Sequence, residues 1–262
     1  MRLGVCGWPV AHSRSPQMHN AALAELGLAG WRYQKLPLPP ELFAPTVRAL
    51  PDAGFRGVNV TIPHKEAALR LADHATETAT RIGAANTLTF EDGRIHADNT
   101  DATGFLTSLK SSAYGKTALV LGAGGSARAI LYALQQAGAR ELRLWNRTAS
   151  KAEALAREFG AAVGAGSADI VVNCTSVGLH DPSATFKELP LTADDLGAGC
   201  TVVDMVYRNG GTLLLNAAKA NGAQVVDGLE ILVAQGAASL ERWTGRTAPD
   251  QAMREAVADI AS

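Results

Sequence analysis

A lysine at the start of a helix is the first residue of this 262-residue chain that asks for a chemical explanation. In Asn59-Val60-Thr61-Ile62-Pro63-His64-Lys65, Thr61 and Pro63 end a β-branched run and announce a helix from Pro63, so Lys65 falls in its first turn. A cation there opposes the helix macrodipole by a few tenths to about 1 kcal/mol, so removing it should leave stability intact or slightly raised. An ammonium in that place is suited to meeting negative charge on a substrate oxygen. The plain alternative is a surface lysine whose flexible stem escapes the dipole, offset by Glu66 beside it. A second polar segment is His12-Ser13-Arg14-Ser15-Pro16. Ser15 reads as a helix N-cap worth about 1 kcal/mol, with Pro16 at the first helical position. Ser13, not needed for that cap, could join Ser15 in receiving a small carboxylate at the helix start. The third segment is Ala97-Asp98-Asn99-Thr100-Asp101, ahead of a helix over 103–109. Taken singly, Asp101 or Thr100 could cap that helix, and Asn86 in Gly83-Ala84-Ala85-Asn86-Thr87 could occupy a turn.

The second half carries a different signal. Gly122-Ala123-Gly124-Gly125-Ser126-Ala127 fits the G-x-G-x-x-G/A pattern, after an apolar strand and at the opening of a helix. The first glycine permits the tight turn and the second lets a pyrophosphate reach the backbone. The helix N-terminus then supplies N–H groups and positive dipole. A tight turn with no ligand would satisfy the same pattern. The next strand narrows the choice. An NAD enzyme normally ends it with Asp or Glu on the ribose 2′-hydroxyl, whereas here it ends Trp145-Asn146-Arg147-Thr148, with Lys151 close behind. A guanidinium can grip a 2′-phosphate bidentately, so NADP is the expected cofactor.

Short apolar runs alternate with helical patterns throughout, the signature of α/β architecture. Strands are expected at Leu3–Gly7, Trp31–Leu36, Gly57–Ile62, and in a hairpin of Asn86–Phe90 and Arg94–Ala97 turning at Asp92-Gly93. Helices fill Ser15 to about Gly27, Glu41–Leu50 and Pro63 to about Ala72. From Thr117–Leu121 a second α/β series follows, with strands at Glu141–Trp145, Ile170–Asn173, Thr201–Asp204 and Gln224–Asp227. The expected fold is α/β in two domains. Residues 1–101 with the mainly helical 228–262 form a substrate-binding, catalytic domain on a mainly parallel sheet. Residues 102–227 form a Rossmann-type dinucleotide-binding domain.

Composition excludes several function classes. There are 24 basic and 25 acidic residues for a net charge of −1, without a long like-charge run, so nucleic-acid and membrane-surface roles have no electrostatic support. Cys6, Cys174 and Cys200 are too scattered for a disulfide framework or a metal knuckle, and no metal site is expected. With no signal-like N-terminus and no apolar run of membrane-spanning length, a cytoplasmic protein is expected.

Taken together, these segments resemble the shikimate dehydrogenase family over nearly the full chain. The resemblance runs through Gly7–Pro16 with His19-Asn20, Asn59–Lys65, Ile82–Thr87, Asn99-Thr100-Asp101, the glycine loop and Asn146-Arg147-Thr148. It continues through Asn173–Ser176, Asp204-Met205-Val206-Tyr207, Asp227-Gly228-Leu229, Gln235-Gly236-Ala237 and Trp243-Thr244-Gly245. It implies reversible reduction of 3-dehydroshikimate to shikimate with NADPH, in the shikimate pathway of aromatic amino acid biosynthesis. Lys65 and Asp101 would be the catalytic pair. Ser13, Ser15 and Tyr207 would hold the substrate carboxylate, and Thr61, Asn86, Asp101 and Gln235 the ring hydroxyls. Met205 and Gly228 would lie beside the nicotinamide. Partners would be this small molecule alone, with the chain a monomer or homodimer. A quinate/shikimate paralogue accepting NAD and a non-catalytic NADP-binding regulator are the alternatives. Three departures stand out. Ala102 replaces a usual Gly, Arg208-Asn209-Gly210-Gly211 replaces a proline-containing turn, and Leu240 stands where an aromatic is frequent.

Overall fold

The protein, seen here in a computed structural model, is described over residues 1–258. These residues form two compact units: Met1–Gly104 with residues 232–258, and Phe105–Ile231.

The first unit opens with β1 (Arg2–Gly7), α1 (Ser15–Glu25), β2 (Arg32–Pro37), α2 (Pro40–Ala49), β3 (Phe55–Val60) and α3 (Lys65–Leu71). It continues with β4 (His74–Ala75), α4 (Glu77–Ile82), β5 (Thr87–Glu91), β6 (Arg94–Asp98) and the first turn of α5 (Asp101–Ser108). The sheet order is β2-β1-β3-β5-β6-β4. The β1–β2, β1–β3 and β4–β6 pairings are parallel, while β3–β5 and β5–β6 are antiparallel. Asp92 and Gly93 turn the β5–β6 hairpin with φ of 51° and 71°, the doubly left-handed turn that matches strand twist. Val58, Val60, Leu88, Phe90 and Ala97 from the sheet pack with Phe43 and Val47 of α2 into one buried cluster. The pattern of the sequence did not suggest β4 or α4. Thr76 caps α4 by accepting from the Ala79 N–H at 3.1 Å, and Gly83 ends it in a left-handed conformation.

The second unit runs β7 (Thr117–Leu121), α6 (Gly125–Gln136), β8 (Glu141–Trp145), α7 (Ala149–Phe159), β9 (Ala162–Val163) and β10 (Ile170–Asn173). The short α8 (Thr185–Glu188), β11 (Thr201–Asp204), α9 (Leu213–Ala220) and β12 (Gln224–Val226) complete it. Its sheet, ordered β12-β11-β10-β7-β8-β9, is parallel throughout. Every residue of β7, β10 and β11 is buried, which is why they read as continuous apolar runs without alternation. The order reverses between β7 and β10, the switch point where open α/β sheets take ligands. The chain then enters α10 (Gly228–Thr244) and α11 (Asp250–Ala258). α11 packs on α1, where the Arg14 guanidinium donates to the Val257 carbonyl at 3.2 Å. Residues 259–262, assigned from the sequence to the helical tail, lie outside the described residues.

Candidate active site

Lys65 is not the exposed residue of the plain alternative. α3 begins at Lys65 itself, two residues later than Pro63, with His64 in the N-cap position. The lysine side chain is 9% exposed and its Nζ donates to Asp101 Oδ2 at 2.6 Å. Asp101 is the first residue of α5, where a carboxylate is favoured by that helix's dipole, just as a cation such as Lys65 is disfavoured at the start of α3. Its own N–H donates to Asn99 Oδ1 at 3.0 Å, which fixes the start of that helix. His64 anchors the approach to the pair. Its ring stacks on Phe43 at 4.3 Å, and Nε2 lies 2.7 Å from the Leu38 carbonyl. A carbonyl only accepts, so Nε2 carries the proton; burial lowers the pKa and keeps the ring neutral.

Asn86, which taken singly could have occupied a turn, makes hydrogen bonds through both ends of its carboxamide. Its Nδ2 donates to Asp101 Oδ1 at 2.9 Å and to Gln235 Oε1 at 3.1 Å. Its Oδ1 accepts from the Thr100 N–H at 2.8 Å and the Thr87 hydroxyl at 3.0 Å. A carboxamide is the side chain with two donors and two lone pairs on one plane, and here both ends are used. Gln235 reaches the cluster from α10 because α5 passes very close. A Cβ on Gly104 would stand 2.7 Å from the Gln235 backbone nitrogen, so only glycine fits there. Behind this layer lie side chains that the sequence reading did not single out as functional. Asn59 Nδ2 donates to Ser239 Oγ at 2.9 Å, and that oxygen lies 2.9 Å from the Thr87 hydroxyl and 3.1 Å from Thr100. The spacing of Gln235 and Ser239, one turn apart on one helix face, was the available signal. Thr61 is half-buried, and its carbonyl accepts from the His64 N–H at 3.0 Å.

The two serines exchange the roles expected of them. Arg14, not Ser15, occupies the N-cap position of α1, and Ser15 is its first helical residue. Ser13 Oγ accepts from the Ser15 N–H at 3.3 Å and donates to Ser15 Oγ at 3.2 Å. The hydroxyl tied to the helix start is therefore that of Ser13, and Ser15 is the one free of a capping duty. Both are buried, at 7% and 4% exposure.

In the second unit, Gly122 follows β7 at φ 111°, and a Cβ there would press on the Cys174 backbone at 3.1 Å. Ala123 is half-buried and Ala127 fully buried. Gly124 is the N-cap residue of α6 and no side chain caps that helix. Nothing lies within 4 Å of a Cβ built on Gly124. Gly125 and Ser126 form the first helical residues. The cradle fits a dinucleotide pyrophosphate: open space, an uncapped twelve-residue helix and backbone donors. At the end of β8, Asn146 Nδ2 donates to the Thr148 carbonyl at 3.0 Å. Thr148 holds the N-cap position of α7 without a side-chain cap bond. The Arg147 side chain is 84% exposed, with Glu188 at 3.5 Å, and Lys151 is exposed, so both cations are accessible to a phosphate. Met205 and Tyr207 follow β11 and are half-buried, and Gly228 opens α10. After Tyr207, Arg208 ties the replaced turn down by donating to the carbonyls of Gly178 (3.1 Å) and Leu179 (2.7 Å). Among the described residues no group of three or more His, Cys, Asp or Glu side chains could hold a metal ion, and no helix is long and apolar enough to cross a membrane.

A doubly wound parallel sheet with a glycine turn at its switch point makes the second unit Rossmann-type, and with the buried Lys65–Asp101 pair of the first unit the chain has the parts of an oxidoreductase. Residues 5–88 match the shikimate dehydrogenase substrate binding domain, 106–177 the shikimate / quinate 5-dehydrogenase model and 228–258 the shikimate 5′-dehydrogenase C-terminal domain. The chain is 46% identical to the shikimate dehydrogenase (NADP(+)) of Paracoccus denitrificans, over 97% of this chain and 94% of that one. It superposes with a TM-score of 0.89 on the Thermus thermophilus shikimate 5-dehydrogenase solved with NADP(H) and shikimate, at 43% identity and 99% coverage of each. It is also similar, at 34% identity and a TM-score of 0.87, to the ligand-free 5-ketofructose reductase of a Gluconobacter strain, covering 99% of this chain and 98% of that one. The chain belongs to the shikimate dehydrogenase family.

Proposed function

We propose that the protein reversibly reduces 3-dehydroshikimate to shikimate with NADPH, in the cytoplasm, as a monomer or homodimer. The observation that carries this reading is the buried Lys65–Asp101 pair at 2.6 Å, held from behind by Asn86. NADPH supplies the hydride. Lys65 Nζ meets the ketone oxygen as its charge develops, and the Lys65–Asp101 pair supplies the proton. Asp101 keeps the ammonium aimed and, with Thr61, Asn86 and Gln235, takes the ring hydroxyls. Ser13, Ser15 and Tyr207 receive the carboxylate. In the second unit, Gly122, Ala123, Gly124, Gly125, Ser126 and Ala127 cradle the pyrophosphate. Asn146, Arg147, Thr148 and Lys151 read the 2′-phosphate, and Met205 and Gly228 adjoin the nicotinamide. The same fold serves a 5-ketofructose reductase, so the substrate has to be read from the site and not from the sheet order.

The test follows nicotinamide absorbance with purified protein, offering shikimate, quinate and, in the reverse direction, 5-ketofructose, each with NADP(H) and NAD(H). Turnover of shikimate with NADP far above every other combination is expected. Preferred turnover of another substrate, or none at all, would overturn the assignment.

A further inference from the structure

At the carboxyl edge of the second sheet, three neighbouring strands finish on residues of one kind. β10 ends in Asn173, β11 ends in Asp204, and Asp227 follows β12 directly. Each side chain accepts from the N–H two residues on. Thr175 donates to Asn173 Oδ1 at 3.0 Å, Val206 to Asp204 Oδ1 at 3.0 Å and Leu229 to Asp227 Oδ1 at 2.8 Å. Such bonds turn the chain sharply as it leaves each strand. The middle member is also bonded sideways: Asn173 and Asp204 are partners in register, and Asn173 Nδ2 donates to Asp204 Oδ1 at 2.9 Å. The Thr212 hydroxyl, at the N-cap of α9, is a third donor to the same carboxylate.

Asn173 makes its turn with a neutral amide, so a turn alone does not require charge. Asp204 is 1% exposed, and burial, with the negative Asp227 nearby, raises its pKa from 3.8 to about 6. The groups that bear on it are Asn173 from β10, Val206 and Thr212 beyond β11, and Asp227 beyond β12; of these only Asp227 is charged. The fold therefore keeps an unfavourable buried anion at neutral pH where a carboxamide would fit, a local rule-break of the sort found at functional sites. An ionised carboxylate accepts from all three donors at once. A protonated acid or an amide has to turn one of its polar atoms into a donor and loses a partner.

We propose that Asp204 is a positioning residue whose carboxylate sets the turn presenting Met205 and Tyr207, and through that turn controls binding of the anionic substrate. This rests on the roles assigned above to Tyr207 and Met205. Asp204 makes no contact with substrate in this scheme; it acts through the two residues that follow it.

The experiment is Asp204→Asn, alone and combined with Tyr207→Phe. The expected single-variant result is a shikimate KM raised about tenfold with NADP binding unchanged, the size of one lost charge-assisted contact. The acid limb of kcat/KM near pH 6 should flatten. In the Asp204→Asn background, Tyr207→Phe should add little to the KM. A wild-type KM, or losses that simply multiply in the double variant, would each overturn the proposal. A silent Tyr207→Phe in the wild-type background would instead defeat the carboxylate role of Tyr207, and the proposal with it. Should Asp204→Asn fold poorly, Asp227→Asn provides the second reading. It keeps the acceptor for Leu229, removes the neighbouring charge and should move the acid limb to lower pH. An unmoved limb counts against the proposal.

Discussion

In the first unit the groups proposed to bind and react come from four separated stretches of chain, at Lys65, Asn86, Asp101 and Gln235, and each is buried. In the second unit the proposed phosphate cradle is one run of six residues, and what it offers is mainly the start of an uncapped helix and open space at Gly124, with Arg147 84% exposed. One site is built by side chains locked against one another; the other is built by chain direction and left open. A locked cluster couples activity to stability, because any member removed leaves a buried partner unsatisfied. An open cradle lets the two separate.

The largest effect should come from Lys65→Ala. Losing a group that meets the transition state should lower kcat by roughly 10²–10⁴ while NADP binding persists. The same change strands the Asp101 carboxylate, which is 7% exposed, and should cost about 3 kcal/mol of stability. That outweighs the gain of at most about 1 kcal/mol from relieving the helix dipole, and it reverses the expectation drawn from sequence. Steady-state kinetics and chemical denaturation on one preparation test both halves; unchanged stability would mean the pair is not a locked one.

Arg147→Ala probes the open site. KM for NADP should rise about tenfold or more, KM for NAD should hold, and the melting temperature should not move, since an exposed pair at 3.5 Å contributes little. Equal losses for both cofactors would show that Arg147 supports the fold instead.

Acid should pull the two units in opposite directions. His19 in the first unit is fully buried, stacked on Tyr33 at 4.2 Å, and burial lowers its pKa from 6.5 to about 3. The unfolded chain takes that proton first, so stability is lost as pH falls from 6.5 toward 3, about 2 kcal/mol of it by pH 5. Asp204 has a raised folded pKa, so its cost is fully present above about 6 and disappears as pH falls toward 3.8, relieving about 1 kcal/mol by pH 5. Hydrogen exchange at pH 7.5 and 5 should show first-unit amides losing protection while second-unit amides gain it. A uniform change across the chain would refute the contrast.

The smallest effect separates the two serines. Ser13→Ala should cost about 1 kcal/mol as a lost helix-start contact and also raise the shikimate KM, whereas Ser15→Ala should raise KM alone. Denaturation midpoints of the two variants decide it.

The second sheet was the more legible part. β7, β8, β10 and β11 fall at the expected residues, because β7, β10 and β11, buried on both faces, advertise themselves as apolar runs and β8 shows the alternation of a half-buried strand. β4 and α4 were missed because a two-residue strand and a six-residue helix, with only Ala79 and Ile82 buried in the latter, leave no period to count. The residue types at Lys65, Asn86 and Asp101 were visible as candidates, but the meeting of Lys65 with Asp101 was legible only through the family resemblance, since hydrogen bonds across 36 and 149 positions have no local trace. Ser15 was misread because serine type says nothing of backbone dihedrals, and those make Arg14 the cap.

The long-range bonds within the first unit also set an order of events during synthesis. Asn59 waits for Ser239, 180 residues later, and Asn86 waits for Gln235. Among the described residues the second unit is one uninterrupted stretch, Phe105–Ile231, whose synthesis is complete before either partner is added to the chain. The half of the protein encoded first is thus the half finished last. Chains truncated after Ile231 and released should hold a protease-resistant second unit beside a first unit whose proposed catalytic cluster still lacks its closing helix.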